Sequence, residues 1–164
     1  MNDRSFYLQR LHAEGPLFQR VLQAVPTDRL DYAPHAAAPT AGQILNTLAQ
    51  EHRVCCELVI NGVAEWKKVP PGTHTESVTL FQKSWALLQD KVAYLDDTAW
   101  HRDGRFRSGE KEYPGQPVGQ FLWYILFDAI HHRGQLMAYI RPMGGRVPSV
   151  YGPSGDDTGK KSTT

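Results

Sequence analysis

Asp128 and His132 stand four residues apart in Phe127-Asp128-Ala129-Ile130-His131-His132-Arg133-Gly134-Gln135-Leu136, inside the most apolar helical stretch of the chain. Residues i and i+4 of a helix lie one turn apart on one face. An ionisable pair turned toward a hydrophobic interior is unfavourable unless compensated, and a bound metal ion is the simplest compensation. A second helical stretch offers groups of the same kind. Glu51 falls on the row Ile44, Leu48, Glu51, Cys55, Leu58, and His52 on the neighbouring row Leu45, Ala49, His52, Cys56, Val59. Carboxylates and imidazoles are ordinary ligands for zinc, nickel, manganese or iron, and three protein ligands with open positions suit a catalytic site better than a structural one. The expected metal ligands are therefore Asp128 and His132, completed by Glu51 or His52. The same groups without an ion would make a buried ion pair or hydrogen bond in an inert bundle.

The remaining candidates are weaker. His35 and His74 sit in loops and read as solvated, while His12 and His101 lack an evident partner. Cys55 and Cys56 are adjacent, cannot readily bridge one another, and read as small buried hydrophobes. Trp66, Trp85, Trp100 and Trp123 have the shape to line a substrate cavity, though most read as packing residues. Arg133, Tyr139 and Arg141 have the chemistry to orient an anionic substrate. Gly144-Gly145 follows a helix instead of preceding one, so it is no phosphate loop.

Four helices must position these groups. The first spans about Ser5 to Val25, with Phe6, Leu8, Leu11, Leu17, Phe18, Val21 and Leu22 at helical spacing and Gly15-Pro16 as a possible kink. Thr40 and Gln43 form a capping box that starts the second, and Asn61-Gly62 ends it. The third spans about Glu76 to Leu95 after Pro70-Pro71-Gly72, with Leu80, Leu87, Leu88 and Val92 inward. The fourth runs from Pro117 to about Ile140 on a seam of Val118, Leu122, Ile125, Ala129, His132 and Leu136. This pattern predicts an all-α four-helix bundle with one long crossover connection, Asp97 to Gln116, with room for short helical or extended pieces, before the last helix. One domain is expected over residues 1–154, its end a strap from Val147 to Pro153, followed by a flexible polar tail over residues 155–164.

Composition narrows the function classes. A chain of 164 residues is long enough to bury a core without disulfides. A net charge of +1 and the absence of a basic run argue against nucleic acid as partner. The longest apolar run, Phe121 to Phe127, is far short of the roughly 20 residues that span a bilayer. The polar Met1-Asn2-Asp3-Arg4-Ser5 lacks the features of a secretory signal, and the unbridged cysteines suit a cytoplasmic protein.

The segment from Asp128 to Ser154 carries a resemblance. Asp-Ala-Ile-His-His-Arg-Gly-Gln-Leu, then Tyr139-Ile140-Arg141, Gly144-Gly145 and Val147-Pro148-Ser149-Val150-Tyr151-Gly152-Pro153-Ser154, resembles the DinB/YfiT-like superfamily of metal-dependent four-helix bundles. The resemblance implies a metal held by three side chains, commonly histidines, one from the second helix and two from the last. His132 matches the final histidine. The partner four residues earlier is usually histidine and here is Asp128; the second-helix histidine falls near Thr47, where this chain offers Glu51 or His52 nearby. Members with known activity are transferases using low-molecular-weight thiols, or isomerases and hydrolases of small molecules, and are often homodimers. The expected function is thus a divalent-metal-dependent enzyme, a thiol transferase acting on small electrophiles. The alternative is a non-catalytic dimeric bundle with a degenerate metal site, stress-related or regulatory.

Overall fold

Asn2 accepts the backbone N–H of Ser5 at 2.9 Å and so opens the first helix, α1 (Asp3–Ala24), in the computed structural model, which describes residues 2–158. Pro16 lies inside α1 without ending it. The second helix, α2 (Ala41–Asn61), starts at the expected capping box: Thr40 accepts the Gln43 N–H, and the Gln43 side chain accepts the Thr40 N–H. Gly62 ends it at φ 72°, a left-handed conformation that glycine takes without strain. Strand β1 (Val63–Trp66) follows at once. Helix α3 (His74–Ala93) starts two residues ahead of the expected Glu76, because Thr73 and Glu76 form a second capping box.

The crossover carries short helical and extended pieces, as expected of it. It folds into α4 (Asp97–His101), β2 (Asp103–Ser108), β3 (Lys111–Glu112) and β4 (Gln116–Pro117), leading into the long helix α5 (Val118–Ile140). The protein is therefore mostly helical with a small sheet, which corrects the purely all-α expectation. Strand β2 is the hub: it pairs in parallel with β1, placing Phe106 opposite Ala64, and antiparallel with both β3 and β4. Arg102 locks this sheet to the bundle by donating to the Leu58 and Val59 carbonyls at 3.1 and 2.6 Å in the last turn of α2, where the Leu58 carbonyl also accepts the Gly62 N–H. At the other end, Asp3 accepts both the Trp100 and Trp123 indole N–H groups, joining α1 to α4 and α5. No helix among the described residues is long and apolar enough to cross a membrane.

Three inner faces differ from expectation: on α3 Phe81, Trp85, Leu88 and Val92 are buried, while Leu87 is exposed and Leu80 only partly covered. On α1 the buried face is Tyr7, Leu11, Glu14, Phe18 and Val21, while Phe6 is half exposed. On α5 the seam runs Val118, Leu122, Leu126, Ala129, Arg133, Leu136 and Ile140, so the fully buried polar residue is Arg133 and His132 sits at the edge. Arg133 and Glu14 answer one another: Nη1 donates to Glu14 Oε2 at 2.7 Å, and Arg10 also pairs with Glu14. The strap joins them, since the Tyr151 hydroxyl donates to Glu14 at 2.9 Å and accepts from Arg133 at 2.6 Å. Burial pushes the Glu14 carboxyl up, but the hydrogen bonds from Arg133, Tyr151 and Arg10 outweigh it and hold it below its usual 4.5. Arg133 is thus committed to structure and not to substrate. Tyr139 donates to the Pro39 carbonyl and Arg141 pairs with Asp156, so the expected anion-orienting trio is spent on the fold. Asp156 also accepts the Val147 N–H, and Asp157 accepts the Ser149 N–H; of the expected tail, residues 159–164 lie outside the described residues.

Removing one member of a buried ion pair strands the other. Arg133→Met is expected to lower unfolding free energy by about 3 kcal/mol, and Glu14→Leu combined with Arg133→Met to recover most of that loss. Because the folded pKa of Glu14 lies below its unfolded value, its stabilisation is complete above pH 4.5 and fades as pH falls through the folded pKa. Urea melts from pH 6 down to pH 3 are expected to decline more steeply for the natural protein than for Glu14→Leu/Arg133→Met.

Candidate metal centre

The face of α2 carrying Ile44, Leu48 and Leu58 is fully buried, and Glu51 lies on that face, only 4% exposed. Across from it, α5 presents Asp128 and His132 one turn apart. His132 Nε2 stands 3.6 Å from Glu51 Oε1 and 3.7 Å from Asp128 Oδ2, and one ligand atom from each of the three residues lies within 4.8 Å of the others. Ligand atoms around one zinc-like ion stand roughly 3–4 Å apart, given bond lengths near 2 Å.

A test of fit lies in Glu51 itself. Both of its carboxylate oxygens are buried and neither has a hydrogen-bond partner. Burial pushes the carboxyl well above its usual range, and the neighbouring charge of Asp128 pushes it further. A cation is what would favour the ionised, acceptor-only form of Glu51 in this position, and two carboxylates with one imidazole form a donor set for zinc, manganese, iron or nickel. The exposure gradient gives the site a floor and a mouth: the side chain of Glu51 is 5% exposed, that of His132 22% and that of Asp128 62%. A pocket of about 330 Å³ opens over the three, walled by Thr47, Val54, Trp66, Phe106, Tyr113 and Ile125.

Glu51 and His52 point in different directions. His52 points the other way, into a cage of Phe18, Phe81 and Trp85, with ring centroids 6.0, 4.8 and 4.6 Å from its own. Its Nδ1 meets the Leu48 carbonyl at 2.7 Å, and burial lowers its pKa to about 4, so it is a neutral core residue outside the cluster. His131 is exposed. Cys55 and Cys56 are buried free thiols; burial pushes Cys56 up to about 11, and both sit outside the cluster. His74, expected in a loop, is the first residue of α3 and its Nε2 meets the Leu22 carbonyl at 2.8 Å; His35 is exposed as expected, and its Nδ1 accepts the Ala37 N–H.

Sequence reasoning missed Phe106 and Tyr113 in the wall, which come from the small sheet and the stretch after β3; Trp66, one of the four tryptophans with the shape to line a cavity, joins them from β1. The alternation Arg105-Phe106-Arg107 was the available signal, weak because it covers so few residues.

A model of the DinB family matches residues 1–161. The chain belongs to the DinB family. The DinB-like protein of Bacillus cereus ATCC 10987 has a similar crystal structure, with a TM-score of 0.69 and 18% identity over 88% of this chain and 95% of that one. The DinB-like protein of Bacillus subtilis gives a TM-score of 0.65 and 16% identity over 84% of this chain and 91% of that one. At such identities the likeness shows the fold. No curated protein matches the chain. In this DinB-family chain Thr47 lines the pocket one turn before Glu51, so the second-helix position expected to hold histidine faces the same space.

An unsatisfied buried carboxylate is a liability in the metal-free protein. Glu51→Leu is expected to raise metal-free stability by about 1–3 kcal/mol. Adding a divalent ion should then raise the melting temperature of the natural protein and leave that of the variant unmoved in differential scanning calorimetry.

Proposed function

We propose that this DinB-family protein is a divalent-metal-dependent enzyme that transfers a low-molecular-weight thiol to a small electrophile. The observation that carries the reading is the pair of buried, unpartnered oxygens of Glu51 facing His132 and Asp128. Glu51 anchors the site from α2, His132 fixes its depth from α5, and Asp128 closes it at the mouth. Three protein ligands leave positions for an exogenous ligand. A divalent ion held there lowers the pKa of a bound thiol or water and so supplies a nucleophile at neutral pH. In transfer the sulfur lone pair forms the new S–C bond, the leaving group departs with its bonding pair, and the thiol proton passes to water. Hydrophobic walls from Val54, Trp66, Phe106 and Ile125 shield the reacting groups from bulk solvent.

The alternative, a non-catalytic bundle, draws on Asp128 being largely exposed and on Thr47 standing where the resemblance leads one to expect histidine. It expects stability indifferent to chelation.

The deciding experiment is metal analysis of protein purified without an affinity tag. The expected result is about one divalent ion per chain, lost in Asp128→Ala and in His132→Ala. Chelation should remove roughly 2.7 kcal/mol of stability from protein held at about 100 times the metal Kd. Consumption of a small thiol with 1-chloro-2,4-dinitrobenzene should drop by about 100-fold in His132→Ala, since even outer partners of a metal site typically cost 10–100-fold. A chain that holds no metal and melts identically with chelator overturns the reading.

A further inference from the structure

Next to the metal centre lies a second, larger hollow. It measures about 720 Å³ and is lined by Phe106, Tyr113, Phe121, Tyr124, Ile125 and Phe127. Four residues belong to both hollows: Phe106, Tyr113, Ile125 and Asp128. Asp128 therefore stands at the junction, with a carboxylate that borders the trough on one side and the cluster with Glu51 and His132 on the other. The trough is of ordinary size for a small-molecule site, roughly 300–1,000 Å³.

Its chemistry is selective. Aromatic rings form most of the wall, and those of Tyr124 and Phe127 stand 56% and 59% exposed to water. Exposed rings gathered around one hollow offer faces and edges for stacking a flat partner. No lysine or arginine lines the trough, whose titratable lining groups are Tyr113, Tyr124, Asp128 and His131. Lys111 stands over the Tyr113 ring, 4.5 Å from its centroid, without lining the hollow. An anionic ligand would thus meet the Asp128 carboxylate and find no fixed counter-charge. The wall is also held in place: Phe106 is fixed by the pairing of β2 with β1 and packs on Tyr113 and Phe121, at 5.2 and 6.3 Å between ring centroids.

We infer that this trough binds the body of an uncharged, flat aromatic substrate and delivers its reacting end past Asp128 to the metal centre. Delivery to the ion rests on the function proposed above; occupancy of the trough does not. Rings of the substrate stack among Phe106, Tyr124 and Phe127, and the shared wall of Tyr113 and Ile125 leads from one hollow into the other.

The test is isothermal titration of neutral 2-naphthol and anionic 2-naphthoate into metal-free protein at pH 7. The neutral probe is expected to bind at least about tenfold more tightly, a difference of roughly 1.4 kcal/mol. The double variant Tyr124→Ser/Phe127→Ser alters two exposed side chains and is expected to melt like the natural protein while weakening naphthol by about tenfold or more. Glu51→Leu, which removes the floor of the metal centre, is expected to leave naphthol affinity unchanged. Equal or preferential binding of naphthoate, no naphthol binding at all, or undiminished affinity in the double variant overturns the inference. Normal naphthol binding by a chain that holds no metal sinks the enzyme reading alone.

Discussion

Glu14 and Glu51 are both withdrawn from water, and the architecture follows from how each is answered. Glu14 has a full complement of partners: Arg133 from α5, Tyr151 from the strap and Arg10 from its own helix. Those bonds keep it ionised, and they hold α1, α5 and the closing segment together. Glu51 has none of this; its oxygens meet no donor, and burial favours its protonated form. One buried acid is spent on cohesion, and the other is left with unsatisfied acceptors beside an imidazole and a second acid. Packing alone gives no reason to keep a carboxylate there.

The small sheet serves that second acid. Strand β2 hangs from the end of α2 through Arg102 and presents Phe106 toward α5, while Tyr113 follows from the stretch after β3. The bundle supplies the polar floor with Val54 and Ile125 beside it, and the sheet region completes the apolar wall with Trp66, Phe106 and Tyr113. A four-helix bundle without the insertion would leave Asp128 and His132 on an open surface, where water would compete for every ligand.

Much of this could be read from residue order, and the failures have physical causes. The Thr40–Gln43 box and Gly62 bounded α2 because caps are local chemistry, and Glu51 was found because its row is otherwise apolar. Glu51 and His52 were inseparable by pattern: adjacent helical residues differ by about 100° in direction, and both rows are hydrophobic. The seam of α5 was placed one residue off in its second half, as His132 instead of Arg133, because a fully buried arginine is legible only when its partner is known. Glu14 was that partner, a long-range pairing that no local pattern announces. The strands were too short for alternation to show, and the parallel pairing of β1 with β2 has no turn signature between them.

That parallel pairing also orders events during assembly. All of α3 and α4 lies between β1 and β2, so the two strands meet only after a long excursion of chain has been reeled in. The adjacent pair α2–α3 closes over a shorter separation, whereas α5 meets α1 and α2 over longer ones. The chamber around the acidic floor needs both that strand pairing and the docking of α5 on α2, so every side of it is drawn from chain segments distant in sequence and none can form from local structure alone.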